Sequence, residues 1–250
     1  MSEMGHGKKA PPLVEVRGLR FQYEDGTLAL DGVDFALEAG ETVALLGPNG
    51  SGKTTFVLHL NGLLAGEGLV TVCGLRMGKE NLPLVRRKVG LVFQDSDEQL
   101  FMPTVLEDVC YGPLNLGLSP EEALAAAGRA LRQVGIEHAR DKAPYHLSAG
   151  EKRRVALAGV LAMQPEILVL DEPTTFLDPP GRRALVEVLR GLPQAKLIVT
   201  HDVWLARALA HRAAFFEHGR IVRDGPLDEV LAHCSWDLGP GSATVPGGED

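Results

Sequence analysis

Gly47-Pro48-Asn49-Gly50-Ser51-Gly52-Lys53-Thr54 has the residue types and order, GxxxxGK[ST], of a loop that wraps a phosphate. An apolar run, TVALL at 42–46, leads into it, and a helix-length stretch, TFVLHLNGLL, follows. The glycines let backbone N–H groups turn toward an anion, and the helix behind them aims the positive end of its dipole at it. Lys53 would then reach β and γ oxygens, and Thr54 would offer its hydroxyl to Mg²⁺, with Thr55 completing the nucleotide-binding set. A chance Gly-rich turn would lack this strand before and helix after. A second candidate is the pair of acids that ends ILVLDE. Asp171 is placed to hold the Mg²⁺ shell and Glu172 to polarise an attacking water. Acids often cap strand ends, so the pair carries this reading only because a phosphate loop precedes it. Kinases, GTPases and ATPases share such loops; the chain has no NKxD segment for a guanine base, which weakens the GTPase reading.

These residues need a buried sheet to hold them. The runs at 42–46, 89–93, 167–170 and 197–200 are short, apolar and nearly free of charge, as in parallel strands covered on both faces. Residues 14–23 (VEVRGLRFQY) and 33–37 (VDFAL) alternate instead, as half-exposed antiparallel strands do. From about Asp95 to Gln164 strand signals vanish. There, Ser119-Pro120-Glu121-Glu122 reads as a helix start, with a capping Ser, Pro at the first helical position and acids in the first turn. The expected fold is therefore α/β: a phosphate-loop core of mixed sheet and helices, an antiparallel β subdomain, and a helical subdomain at about 95–164 inserted in the core. Residues 13–234 form the expected domain, between a flexible N-terminus (1–12) and a Gly/Pro-rich tail (235–250).

Composition narrows the partners. At 250 residues, with 45% hydrophobic and 23% charged, the chain can bury one sizeable core. A net charge of −8 argues against nucleic acid as a partner, since phosphate backbones recruit net-basic faces. Three scattered cysteines without a CxxC pair fit a reducing cytoplasm rather than a disulfide frame. No apolar run approaches the roughly 20 residues that span a bilayer. The expected location is cytoplasmic, with any membrane served from its inner face.

Taken together, the motifs resemble those of the ATP-binding cassette (ABC) ATPases, over nearly the whole chain from Leu13 to about His233. Leu147-Ser148-Ala149-Gly150-Glu151 is similar to their LSGGQ signature, Gln94 to the Q-loop glutamine, Asp178 to the D-loop aspartate, His201 to the switch histidine, and Tyr23 to the aromatic that stacks on adenine. The resemblance implies ATP and Mg²⁺ as cofactors, with Thr54, Gln94 and Asp171 around the metal and Glu172, His201 and Gln94 as the catalytic set. It also implies a pair of cassettes arranged head to tail, each completing the other's site with its signature. Two positions depart from the pattern: Ala149 replaces a glycine, and Phe176 occupies a place more often held by a small residue.

The stretch 94–117 (QDSDEQLFMPTVLEDVCYGPLNLG) is similar to that of energy-coupling-factor importers for cobalt, nickel or vitamins. In them this segment forms a groove for helices of a transmembrane coupling protein, so the implied partners are a second cassette, identical or paralogous, and transmembrane coupling and substrate-binding subunits. Leu100, Phe101 and Met102 read equally as groove or as core of the helical lobe. A soluble, non-transport cassette, such as an iron–sulfur assembly component, is the alternative function.

Overall fold

The protein is described here from a computed structural model covering residues 10–234 and Trp236; most of the two terminal segments expected to be flexible lies outside the described residues. Strands β1 (Val14–Gln22) and β2 (Leu28–Leu37) pair antiparallel, Val14 opposite Leu37 and Gln22 opposite Leu28. β2 is longer than its VDFAL segment predicts because Gly32, at φ 77°, lets the strand continue through the polar Asp31-Gly32 step. β3 (Thr42–Leu46) then leaves this sheet, passes through the phosphate loop and feeds helix α1 (Lys53–Leu60). β4 (Glu67–Val72) and β5 (Leu75–Arg76), two short strands absent from the sequence reading, return to complete an antiparallel sheet of order β2-β1-β4-β5.

After α2 (Leu82–Lys88) and β6 (Val89–Val92), the chain makes no strand until β7 (Ile167–Asp171). The interval holds α3 (Val105–Asn115), α4 (Pro120–Gln133) and α5 (Ala149–Leu161). Each begins with a reciprocal cap: Thr104 with Glu107, Ser119 with Glu122, Ser148 with Glu151. α4 buries Ala123, Ala126, Ala127, Ala130 and Leu131, one stripe at helical spacing, against a core that includes Val109 and Leu157.

The chain ends with α6 (Pro179–Arg190), β8 (Ala195–Val199), α7 (Val203–Leu209), β9 (Arg212–Glu217), β10 (Arg220–Pro226) and α8 (Leu227–His233). β8 begins two residues earlier than its apolar run because Lys196 is buried within it, its ammonium donating to the Leu192 and Gln194 carbonyls at 2.6 and 2.9 Å. A lysine in that place hides the strand from a hydrophobicity reading. The second sheet has the order β10-β9-β3-β8-β7-β6, parallel except for β10. Trp236, within the expected tail, packs edge-on against Phe215 at 5.2 Å between centroids.

The two sheets meet across α1. Phe56, fully buried, stands between Phe35 of β2 and Phe216 of β9, with ring centroids 5.5 and 5.4 Å away. Burying one such ring contributes about 2 kcal/mol. It also fixes the helix whose first turn faces the phosphate loop.

Candidate active site

The carboxyl ends of β3, β7 and β8 lie side by side, and each delivers part of one cavity. β3 runs into the loop and α1, β7 into Asp171 and Glu172, and β8 into Thr200 and His201. Val199 of β8 pairs with Leu45 on one side and Asp171 on the other, so the three strand ends are level. The cavity beyond them has a volume of about 480 Å³, the size and place in which open α/β sheets bind ligands. The loop and first turn contribute Asn49, Gly50, Gly52, Lys53, Thr54 and Thr55; the strand ends contribute Gln94, Asp171, Glu172 and His201; Tyr23 joins from the end of β1. Thr27 of the β1–β2 turn and Leu28 and Ala29 at the start of β2 also line it, and nothing in their sequence marked them.

Loop geometry depends on two glycines. Gly47 has φ 136°, and a Cβ there would lie 2.2 Å from the Phe216 carbonyl oxygen; Gly52 has φ 107°, and a Cβ there would meet the Ala29 carbonyl oxygen at 2.5 Å. Side chains would strain the backbone and push β9 and β2 away from the loop. Gly52 is also the N-cap of α1 and offers no side chain to its first amides, which stay available to an anion. Within the loop the Lys53 ammonium donates to the carbonyls of Gly47 (2.8 Å) and Pro48 (2.7 Å) and approaches Ser51 Oγ at 3.4 Å. Burial pulls its pKa below the ordinary lysine value, and the nearby charges of Glu172 and Asp171 oppose that.

The acids have different settings. Asp171 is 6% exposed, and its Oδ2 accepts from the Thr54 hydroxyl at 3.0 Å. Burial raises its pKa, the Thr54 bond lowers it, and the neighbouring Glu172 charge raises it again. Glu172 takes φ 44°, a left-handed conformation rare outside glycine. That turn directs Oε1 to His201 Nδ1 (2.8 Å) and Oε2 to the Thr200 hydroxyl (3.3 Å). Tyr23 is partly open to the cavity, its phenol 3.0 Å from Thr55 Oγ1 and its ring edge-on to Phe21 at 4.9 Å.

Asp171 keeps a buried charge that the nucleotide-free protein holds against its own solvation. Asp171→Asn retains an acceptor for Thr54 and removes that charge. We expect it to raise the nucleotide-free melting temperature by about 2–4 °C, on the order of 1 kcal/mol. Scanning calorimetry measures this; a fall would mean that the carboxylate is stabilising in the empty protein.

Leu147, Ser148, Ala149, Gly150 and Glu151 do not line this cavity. Ser148 caps α5, and Ala149 is the first residue of that helix with no positive φ, so its methyl group strains nothing. Ala149 and Phe176 instead border a smaller cavity of about 260 Å³. Phe176 is 77% exposed at φ 66°, a conformation that costs an aromatic residue about 1–3 kcal/mol. Asp178 Oδ1 caps α6 by accepting from the Gly181 N–H at 2.8 Å.

Residues 30–175 match the family described as ABC transporter. The chain belongs to that family. It is an ATPase subunit of the ABC transporter kind. Its cassette is 56% identical over 222 residues to an ABC transporter ATP-binding protein of Streptomyces avermitilis, covering 88% of this chain and 85% of that one. It is 46% identical over 226 residues to the energy-coupling factor transporter ATP-binding protein EcfA of Methanocaldococcus jannaschii (88% and 81% covered). Among solved structures, cbiO1 of Clostridium perfringens, part of the ABC transporter complex cbiONQ, matches with TM-score 0.80 and 37% identity over 90% of this chain and 92% of that one. A dimeric ATP-binding cassette in a post-hydrolysis state bound to ADP and Pi matches with TM-score 0.77 and 29% identity, covering 86% and 98%.

Two residues of the cassette were passed over in the sequence. Thr200 is wholly buried, and its hydroxyl ties Glu172 to the turn that carries His201. A hydroxyl between an apolar strand and a histidine was a usable signal. Arg153, 3% exposed, donates from α5 to the carbonyls of Phe93 and Gln94, joining the signature helix to the Q-loop. The KRR run at 152–154 gave no sign of which arginine turns inward.

Within 100–102, Leu100 and Phe101 differ in exposure. Phe101 is 61% exposed and lies edge-on to the exposed Tyr111 at 5.0 Å, whereas Leu100 packs against the helical core. Leu100 and both rings border a cleft of about 130 Å³ that Met163 also lines. Among the described residues no helix is long and apolar enough to cross a membrane.

Proposed function

We propose that this cassette is the ATPase of an energy-coupling-factor importer and works as one of a head-to-tail pair that sandwiches two ATP molecules. One observation carries the pairing: Ser148 and Gly150 head a helix outside the cavity that gathers Lys53, Asp171, Glu172 and His201. A single chain thus presents a donor-rich helix end and a phosphate cavity that do not meet, and a second cassette, identical or paralogous, would join them. The similar cassette that is dimeric with ADP and Pi bound supports a pair.

In this reading Glu172 accepts the proton of the water that attacks the γ-phosphate, while His201 holds the carboxylate in place and faces the phosphate. Lys53 and the partner's helix N-terminus stabilise the charge spreading over the equatorial oxygens. Thr54 Oγ1, Asp171 Oδ2 and the Gln94 amide are hard oxygen donors lining the cavity, the set a Mg²⁺ ion would accept when nucleotide phosphates and water fill its remaining positions. When bound there, Mg²⁺ would supply neutralisation of the β and γ oxygens. Tyr23 would stack on adenine.

The importer type rests on the relatives named EcfA and cbiO1 and on the cleft beside Phe101 and Tyr111, exposed apolar surface suited to a coupling helix of a membrane partner. The cassette would then sit on the cytoplasmic face of the membrane. Cobalt is the proposed cargo, ahead of nickel or a vitamin, and another subunit would recognise it. Affinity purification from solubilised membranes should retain a transmembrane protein, and cobalt should stimulate ATP hydrolysis by the reconstituted complex. Full ATPase activity with no membrane protein retained would sink the importer reading.

A further inference from the structure

Glu151 brings a negative charge to the helix end that, in the proposed pairing, meets the partner's γ-phosphate. It is the third residue of α5, and its Oε2 accepts from both the Ser148 N–H (2.9 Å) and the Ser148 hydroxyl (2.8 Å). Its own N–H returns a bond to Ser148 Oγ at 3.3 Å. A serine hydroxyl has a single hydrogen. While Glu151 holds that hydrogen, Ser148 shows an approaching phosphate only lone pairs.

Cations compensate the charge only in part. Bonds from the Ser148 backbone and hydroxyl hold the Glu151 carboxyl below its ordinary pKa, with smaller help from Lys142 and His138. His138 Nε2 stands 3.7 Å from Oε1. The next two cations along α5 are engaged elsewhere: Lys152 pairs with Asp97 at 2.6 Å, and Arg153 clasps the Phe93 and Gln94 carbonyls. Ser148 and Ala149 are exposed, so the cap is open to an arriving anion, with Lys142 and His138 offsetting part of the Glu151 charge.

We infer that Glu151 is a charge lock on closure of the cassette pair: it withholds the Ser148 hydroxyl from the partner's γ-phosphate and repels that phosphate, so the pair closes on ATP less readily than with a neutral side chain. Glutamine has the same shape and still serves the cap, because its amide oxygen can accept the Ser148 N–H. It frees the hydroxyl hydrogen, removes the repulsion and adds an N–H₂ donor. The lock therefore sets the ATP threshold for closure rather than the chemistry that follows. It rests on the proposed pairing.

The test compares Glu172→Gln protein with and without Glu151→Gln, measuring dimer dissociation constants in Mg-ATP by analytical ultracentrifugation. The second substitution should tighten the dimer about tenfold, and the gain should shrink as salt shortens the Debye length from about 10 Å at 0.1 M to about 3 Å at 1 M. Equal melting temperatures without nucleotide establish that the cap is intact. If the parent dimerises and a folded double variant dimerises no more tightly, the lock is wrong and the pairing stands. If the parent stays monomeric in Mg-ATP, the pairing falls and the lock with it.

Discussion

Glu172→Gln is expected to slow ATP hydrolysis about 10³-fold, roughly 4 kcal/mol in the barrier, while leaving ATP binding intact. The carboxylate sits at a left-handed turn, braced by His201 at 2.8 Å and Thr200 at 3.3 Å. Glutamine fits that setting, so the side chain stays near its place. What disappears is the basicity that takes a proton from water. With hydrolysis stopped and the phosphate cavity unaltered, ATP should accumulate between two cassettes, giving a dimer in Mg-ATP and a monomer in ADP. Phosphate-release kinetics and light scattering after gel filtration separate the two parts. Retention of a tenth or more of the activity would remove Glu172 from the role of base, whichever way the association came out.

The contrast between Glu172 and Ser148 also marks what the sequence could carry. The phosphate loop was legible because its constraints are local: strand, glycines, lysine and helix follow one another within residues 42–60, and Gly47 and Gly52 are dictated by backbone clearance. The buried parallel strands β3, β6, β7 and β8 were legible because both faces are covered, which leaves an unbroken apolar run. β4, β5, β9 and β10 were missed. β9 (RAAFFE) is buried like the legible strands, but a charge at each end and two alanines weaken its apolar run; β10 is mostly exposed, so neighbours rather than its own residues decide its conformation. Lys196 concealed the start of β8 for a related reason, being a buried cation satisfied only by carbonyls that folding brings to it. The bond between Thr200 and Glu172 spans 28 residues, and spacing alone cannot reveal it. Likewise, the sequence named Ser148 through resemblance, but only the fold places it outside the cavity of its own chain.

Lys53→Ala should cost more in binding than any other single truncation in the loop. The ammonium braces the loop through the Gly47 and Pro48 carbonyls, and the charges of Glu172 and Asp171 across the cavity favour its protonated form. A triphosphate gives it stronger acceptors, and hydrogen bonds to charged groups are worth about 1.5–3 kcal/mol each. Losing two such bonds weakens ATP binding by about 3 kcal/mol, a factor of more than 100 in Kd. The empty protein should not suffer in proportion, because burial already holds the lysine pKa below its ordinary value, a sign that the fold keeps this charge at some expense. The two effects separate in one measurement. At ATP a thousandfold above the wild-type Kd, ligand binding stabilises the wild-type fold by about 4 kcal/mol; a hundredfold loss of affinity leaves about 1.4 kcal/mol. Melting curves should therefore start close together without nucleotide and diverge as ATP is added. A variant that gains as much from ATP as the wild type would show that Lys53 is only a strut for the loop and that the phosphates are held by backbone amides alone.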